Sequence, residues 1–341
     1  MPVLSRIRDF FYRHKNKFIV SGVIITGSIL LTRYAQQKLR EWQEQHAKEF
    51  LERTRKQQHF ESTERTCNQT ILSLLNPLLE SLSRALDTDA VLEEIKRNPG
   101  SKIKLWEELK VKIFAKVTCF IYIAVVLVIT CRLQLGLLGG HLFKNPDSVS
   151  PNVQEKYLLL CNKLLQEGIE RLSTFFEKEY SKILGPLSLK KPMKLVDLEK
   201  IFWDVQTATK NSVLDPVEHM KEYIIPKDKQ TNPKIYDDMI QDTADIIESD
   251  EIKTLATSCI SRGFILLGDS ISEFYKPQKN ETGTSNDTFI HPSQIEIALA
   301  KLIPILSGIM TKNAFPEHLI QQLITHDKLK VLSANIYEAF S

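Results

Sequence analysis

The side chains in this chain whose types and spacing point to chemistry are Lys102, Ile103, Trp106, Leu109, Lys110 and Ile113. Ile103, Trp106, Leu109 and Ile113 recur at helical spacing, so an aromatic anchor stands in an apolar stripe bordered by Lys102 and Lys110. Upstream, Val91, Leu92 and Ile95, with Lys96, offer a second apolar strip, joined to the first by Asn98, Pro99 and Gly100. Two such strips make the walls of a groove. The chemistry is non-covalent, with an amphipathic partner helix of acidic edges laying its apolar face over the tryptophan. The bland alternative makes Trp106 an ordinary core residue.

Covalent and metal chemistry find no comparable set. The five cysteines (Cys67, Cys119, Cys131, Cys161, Cys259) are widely spaced and odd in number, which reads as reduced and intracellular, so the N-x-T triplets at Asn68, Asn280 and Asn286 read as chance. The eight histidines are scattered. Asp237, Asp238, Asp242 and Asp245 read as a solvated helix face rather than a metal site. Nucleotide-binding, nucleophile-elbow and zinc-protease motifs are missing. The glycines of 135–140 close a long apolar stretch instead of linking a strand to a helix, so close packing is their expected role. The expectation is a non-enzymatic protein with no cofactor and no metal.

The elements that must position the tryptophan are helices. Helical periodicity covers about 67–87, 89–97, 102–142, 153–185, 194–211, 235–250, 251–275, 292–312 and 316–340, broken where Pro, Gly and Asn accumulate near 98–100, 144–151, 226–233 and 277–287. The last break is the expected mobile loop. Hairpin-bounded alternation and fixed-period repeats are lacking, which leaves an all-α bundle over 61–341. Its most apolar segment, 117–131, runs uncharged for 15 residues before Arg132. It reads as a core helix rather than a membrane span, because Arg132 interrupts it and 102–116 continues it amphipathically.

Ahead of the bundle, residues 1–17 form a basic leader with five Lys/Arg against Asp9, or +4 of the chain's +3 total. The rest carries −1, which gives no basic face for nucleic acid. Residues 18–34 are the expected membrane anchor, built on Phe18, Ile19, Val20, Val23, Ile24, Ile25, Ile29, Leu30 and Leu31. The uncharged core of this run covers about 22 Å as helix against the roughly 30 Å hydrocarbon layer, so Tyr12, Tyr34 and flanking cations must extend it. Residues 35–60, dense in Glu, Gln, Lys and Arg, read as a polar stalk helix.

Eight segments in order and spacing resemble the animal type of the peroxisomal biogenesis factor 3 family: His59-Phe-Glu-Ser62, Arg65-Thr-Cys-Asn68 with Thr70, 102–109, Arg132-Leu-Gln-Leu135 with Gly139 and Gly140, Leu195-Val-Asp-Leu-Glu199, Cys259 with Arg262-Gly-Phe264, 299–305 and 335–341. The resemblance implies a single-pass anchor in the peroxisomal membrane, with transit through the endoplasmic reticulum left open, and a large elongated cytosolic all-α bundle. It implies docking of peroxin-19, the soluble receptor for newly made peroxisomal membrane proteins, by its amphipathic N-terminal helix together with its cargo. Carried over by residue, it puts Trp106 at the centre of the site, with Lys102, Leu109, Ile95, Lys96, Leu142 and Lys301 around it. The alternatives are a tether for inheritance or autophagy machinery, and a lipid-handling protein whose 117–142 region lines a cavity.

Overall fold

The computed structural model describes residues 3–226, 232–276, 294–311 and 314–341, and of residues 3–33, 35, 36, 99 and 314 the backbone alone. The expected anchor side chains from Phe18 to Leu31 and the expected mobile loop at 277–287 lie outside the described residues. Two compact units are formed, Met1–His59 and Phe60–Ser341. The backbone is helical from Val3 to Ala85 (α1), a helix that contributes to both units.

In the first unit the described part of α1 is open to solvent. Leu39, Trp42, Phe50 and Leu51 are exposed, Trp42 packs its ring on His46 at 4.3 Å, and Lys38 lies 3.6 Å from Glu41.

The second unit is organised around one helix, α3 (Lys102–Lys144). Every residue from Ile113 to Gly140 is buried, and 94% of its most apolar window is covered by protein. This is the core-helix expectation for 117–131 fulfilled. Helix α1 meets α3 at Thr63 and Asn68, and α2 (Thr88–Arg97) packs on α3, followed by α4 (Pro151–Leu158), α5 (Leu160–Lys163), a π-helical turn Leu164–Gly168 and α6 (Ile169–Leu184). After these come α7 (Leu195–Lys210), α8 (Met220–Ile224), α9 (Lys234–Ile247), α10 (Asp250–Ser272), α11 (Leu299–Thr311), α12 (Ala314–Thr325) and α13 (Asp327–Phe340). The one pairing of extended backbone among the described residues joins β1 (Pro192–Met193) antiparallel to β2 (Ile297–Ala298). The bundle is all-α in class, and this two-residue ribbon was not foreseen.

A helix buried on all sides must satisfy its polar side chains internally. Thr118 shares a 2.6 Å hydrogen bond with Tyr180, and Lys116 donates to Thr88 at 3.4 Å. Arg132, fully buried, donates from Nη2 to the Ile324 carbonyl at 2.7 Å and to Asn68 at 3.2 Å, with Glu64 3.8 Å from Nη1. Ile324 is in the last turn of α12, whose terminal carbonyls have no helical partner, so the guanidinium closes that end. The region expected as one helix over 316–340 is therefore two, divided at His326.

Glycine fixes the other end of α3. A Cβ on Gly139 would stand 2.7 Å from Thr63 Cγ2, and one on Gly140 would stand 2.8 Å from Phe340 Cβ and 3.0 Å from the Tyr337 carbonyl oxygen. Helices α1 and α13 approach α3 that closely because these positions carry no side chain. Close packing was the expectation for the 135–140 glycines, although they sit inside the helix rather than beyond its end.

Candidate functional site

The groove expected around Trp106 is built by a helical hairpin. Asp87 caps α2 by accepting a 2.8 Å hydrogen bond from the Ala90 amide, a contact that fixes where the helix begins. The amphipathic α2 buries Thr88, Val91 and Ile95 and leaves Lys96 and Arg97 exposed. Its end is closed by the Asn98 amide on the Glu94 carbonyl, and a 3-10 turn over Pro99–Ser101 reverses the chain into α3. The Lys116 to Thr88 bond sets the hairpin antiparallel, which returns Ile95 and Lys96 to the level of the first turns of α3.

Along those turns the apolar stripe divides. Leu105, Leu109 and Ile113, four residues apart, point into the core, while Ile103 is 78% exposed. Trp106 stands at the boundary, partly buried and packed against the core. Leu109, at 0% exposure, is corrected from a groove-lining residue to a core residue beneath it. Leu105 is a core residue that the 3-4 spacing passed over, although the i, i+4, i+8 set it makes with Leu109 and Ile113 was there to be read.

Lys110 is the second correction. Instead of bordering the stripe it is wholly buried, bonded to Glu107 and donating at 2.9 Å to the carbonyls of Leu184 and Leu187. Leu184 ends α6 and Leu187 lies in the turn after it, so the ammonium serves as an internal C-cap. Lys112 likewise meets Glu108 at 3.3 Å. The two carboxylates of the α3 N-terminus are therefore spent on core-side lysines. Lys96, Lys102, Lys104 and Lys301 are exposed and form no ion pair among the described residues. The rim carries four unpaired lysines, with Glu94 of α2 an exposed carboxylate that is likewise unpaired among the described residues.

Lys301 reaches this end through the ribbon. The Leu187 carbonyl is held by Lys110, while Leu189 and Lys191 accept hydrogen bonds from Ala300 at 2.8 Å and Leu299 at 2.9 Å, which docks the start of α11 beside the first turns of α3. Leu142 is not brought there. It lies in the last turn of α3, about 54 Å from Trp106 at roughly 1.5 Å per residue, and is partly buried. Ile95, Lys96, Lys102 and Trp106 thus lie on the two arms of the α2–α3 hairpin, Leu109 is buried, Lys301 stands at the start of α11, and Leu142 lies at the far end of α3.

Comparison with known proteins bears on the whole chain. Residues 9–101 and 140–339 match the family profile described as Peroxin-3, with residues 102–139 falling between the two matched stretches. Full-length similarity extends across that interval. The chain is 32% identical to the peroxisomal biogenesis factor 3 of Rattus norvegicus and to that of Homo sapiens, in each case over 99% of this chain and 98% of the relative. It is 34% identical to the Bos taurus protein of the same name over 98% of this chain and 96% of the relative.

Proposed function

Because this chain belongs to the Peroxin-3 family and is therefore a non-enzymatic peroxisome biogenesis factor, we propose that the tryptophan end of its bundle docks peroxin-19. The partner's amphipathic N-terminal helix lies in the groove between α2 and the start of α3, its apolar face on Trp106 and Ile103. Its acidic edges meet Lys96, Lys102 and Lys301. One observation carries this reading: a half-buried tryptophan beside an exposed isoleucine, with exposed lysines that form no ion pair among the described residues. An aromatic anchor with a cationic border suits an apolar helix with acidic flanks.

In the same proposal residues 18–34 anchor the chain in the peroxisomal membrane and the bundle faces the cytosol, where loaded receptor brings cargo beside the bilayer. The uncharged run between basic flanks supports the anchor, and family membership supports the orientation. The mechanism is capture, with cargo insertion supplying the free energy. The lipid-handling alternative is less favoured, since 117–140 is buried in the bundle core and Tyr122 is its contribution to a described cavity.

The test is a titration of labelled peroxin-19 N-terminal helix with the full chain in lipid nanodiscs, at two salt concentrations. Lys102→Glu is expected to weaken binding most at low salt, where exposed charges are least screened. An affinity independent of both the substitution and the salt would remove the proposed edge contacts.

A further inference from the structure

A second concavity opens on the side of the bundle, about 24 Å along α3 from Trp106 by helical rise, and the docking proposal makes no use of it. Helices α7 and α10 run antiparallel there, with the Phe202 and Phe264 rings 5.9 Å apart and Tyr275 donating to the Met193 carbonyl at 3.1 Å. The segment after α7 closes one end of the trough between them. The result is a cavity of about 480 Å³ with Tyr122, Ile260 and Val217 as its inner lining and Trp203 at its mouth. That volume falls in the range of small-molecule and side-chain pockets.

Two of its residues are out of place by ordinary rules. Trp203 is 68% exposed, although a tryptophan in a bundle of this size has ample core to enter. Asp215 is only 5% exposed, yet it forms no ion pair among the described residues. Its Oδ1 accepts from the Val217 amide at 2.9 Å, a turn contact that holds the carboxylate in place without neutralising it. Burial pushes this carboxyl above its usual range. Three cations stand nearby: Lys253 holds Glu218 at 2.9 Å on the rim, while Lys210 on the cavity wall and the exposed His219 form no ion pair with Asp215.

We propose that this cavity receives an organic cation on an apolar stem, an arginine or lysine side chain or a free amine of that shape, with its charge against Asp215 and its stem under Trp203. A buried carboxylate lacking a counter-ion gains most from a cation that arrives with its own apolar covering. The indole at the mouth adds a cation–π face and shields the pair from water. The site is independent of the groove at Trp106.

Full-length protein in nanodiscs, labelled with 5-fluorotryptophan, tests it by fluorine NMR, with the Trp203 resonance assigned from Trp203→Phe. Blocked arginine amide and blocked lysine amide should shift the Trp203 resonance saturably and leave those of Trp42 and Trp106 unmoved. Blocked norleucine amide, which keeps the stem and lacks the charge, should bind at least tenfold more weakly. Agmatine binding more tightly than blocked arginine amide assigns the site to free amines, and the reverse order to a peptide-borne residue. Asp215→Asn should cost at least tenfold in affinity. If it also disturbs the Trp106 resonance, and so the fold, Lys210→Glu replaces it and should tighten binding severalfold by adding a carboxylate to the rim. Norleucine amide binding as well as arginine amide, an unshifted Trp203, or an affinity indifferent to both substitutions would overturn the proposal.

Discussion

The ammonium of Lys110 lies 2.9 Å from the carbonyl oxygen of Leu184, so a lysine four residues beyond Trp106 is committed to ending α6 and takes no part in the surface. Its neighbour Lys102, two turns earlier, is exposed. Substitutions at the two should therefore part company. Lys110→Met is expected to lower stability by about 3 kcal/mol, because it leaves two carbonyls and a carboxylate without their donor. Lys102→Met should leave the melting temperature within a degree or so. Thermal denaturation of both in parallel checks this, and equal stability would contradict the internal cap.

Arg132 makes the same point deeper in the bundle. Its Nε and Nη1 have no hydrogen-bond partner among the described residues, so the residue carries a burial cost that its bonds to Ile324 and Asn68 offset only in part. Arg132→Ala should cost roughly 3–5 kcal/mol, combining a cavity with stranded partners. Arg132→Met refills much of the volume without a charge and should cost less than half as much. Chemical denaturation of the two variants distinguishes these outcomes, and equal losses would mean that the charge itself is what α12 requires.

Two helical glycines should respond to alanine with opposite signs. At Gly139 the new methyl would meet Thr63 at 2.7 Å, and overpacking of that kind costs about 1–3 kcal/mol. At Gly268 the new methyl would meet none of the described residues beyond its own helix within 4 Å, so Gly268→Ala should stabilise by up to about 1 kcal/mol through the lost freedom of the unfolded chain. Paired melting curves test the close approach of α1 to α3.

How much of this was legible in the sequence depends on what each element relies on. The α3 core helix was legible because hydropathy and an interrupting arginine sufficed, and the α2–α3 turn because Asn98, Pro99 and Gly100 announce it. The break at His326 was not, since neither proline nor glycine marks it and the end of α12 is completed by Arg132, distant in sequence. Periodicity put Trp106 on a stripe but could not say which side of the stripe faced inward, hence Leu109 and Lys110. A linear match carries no distances, so Leu142 was grouped with a tryptophan at the other end of the same helix. Asp215 and Trp203 left only a weak trace, an Asp-Pro turn following an amphipathic helix.

The free cysteines give a pH prediction. Burial raises the thiols of Cys67 and Cys119 to about 12 and that of Cys259 to about 11, against 9.0 for an exposed thiol. The unfolded chain therefore ionises them first. Their contribution is fully present below about pH 9 and is lost as pH rises towards 11–12, at about 1.4 kcal/mol per pH unit for each thiol. Stability measured by denaturant titration should fall steadily over that interval, and replacing Cys119 with alanine should flatten the slope. At neutral pH all three should resist maleimide until the protein is unfolded.

Trp106 separates an interface from a core residue by magnitude. Truncating an interface tryptophan typically costs about 2 kcal/mol or more of binding, roughly thirtyfold in affinity, whereas truncating a core tryptophan costs roughly 3–5 kcal/mol of stability. The decisive measurement is Trp106→Ala in the full chain, assayed both for affinity towards the peroxin-19 N-terminal helix by calorimetry and for its melting temperature. The half-open placement of Trp106 predicts at least thirtyfold weaker binding with little change in melting. Unchanged affinity, or a large loss of stability with binding intact in the folded fraction, would contradict it.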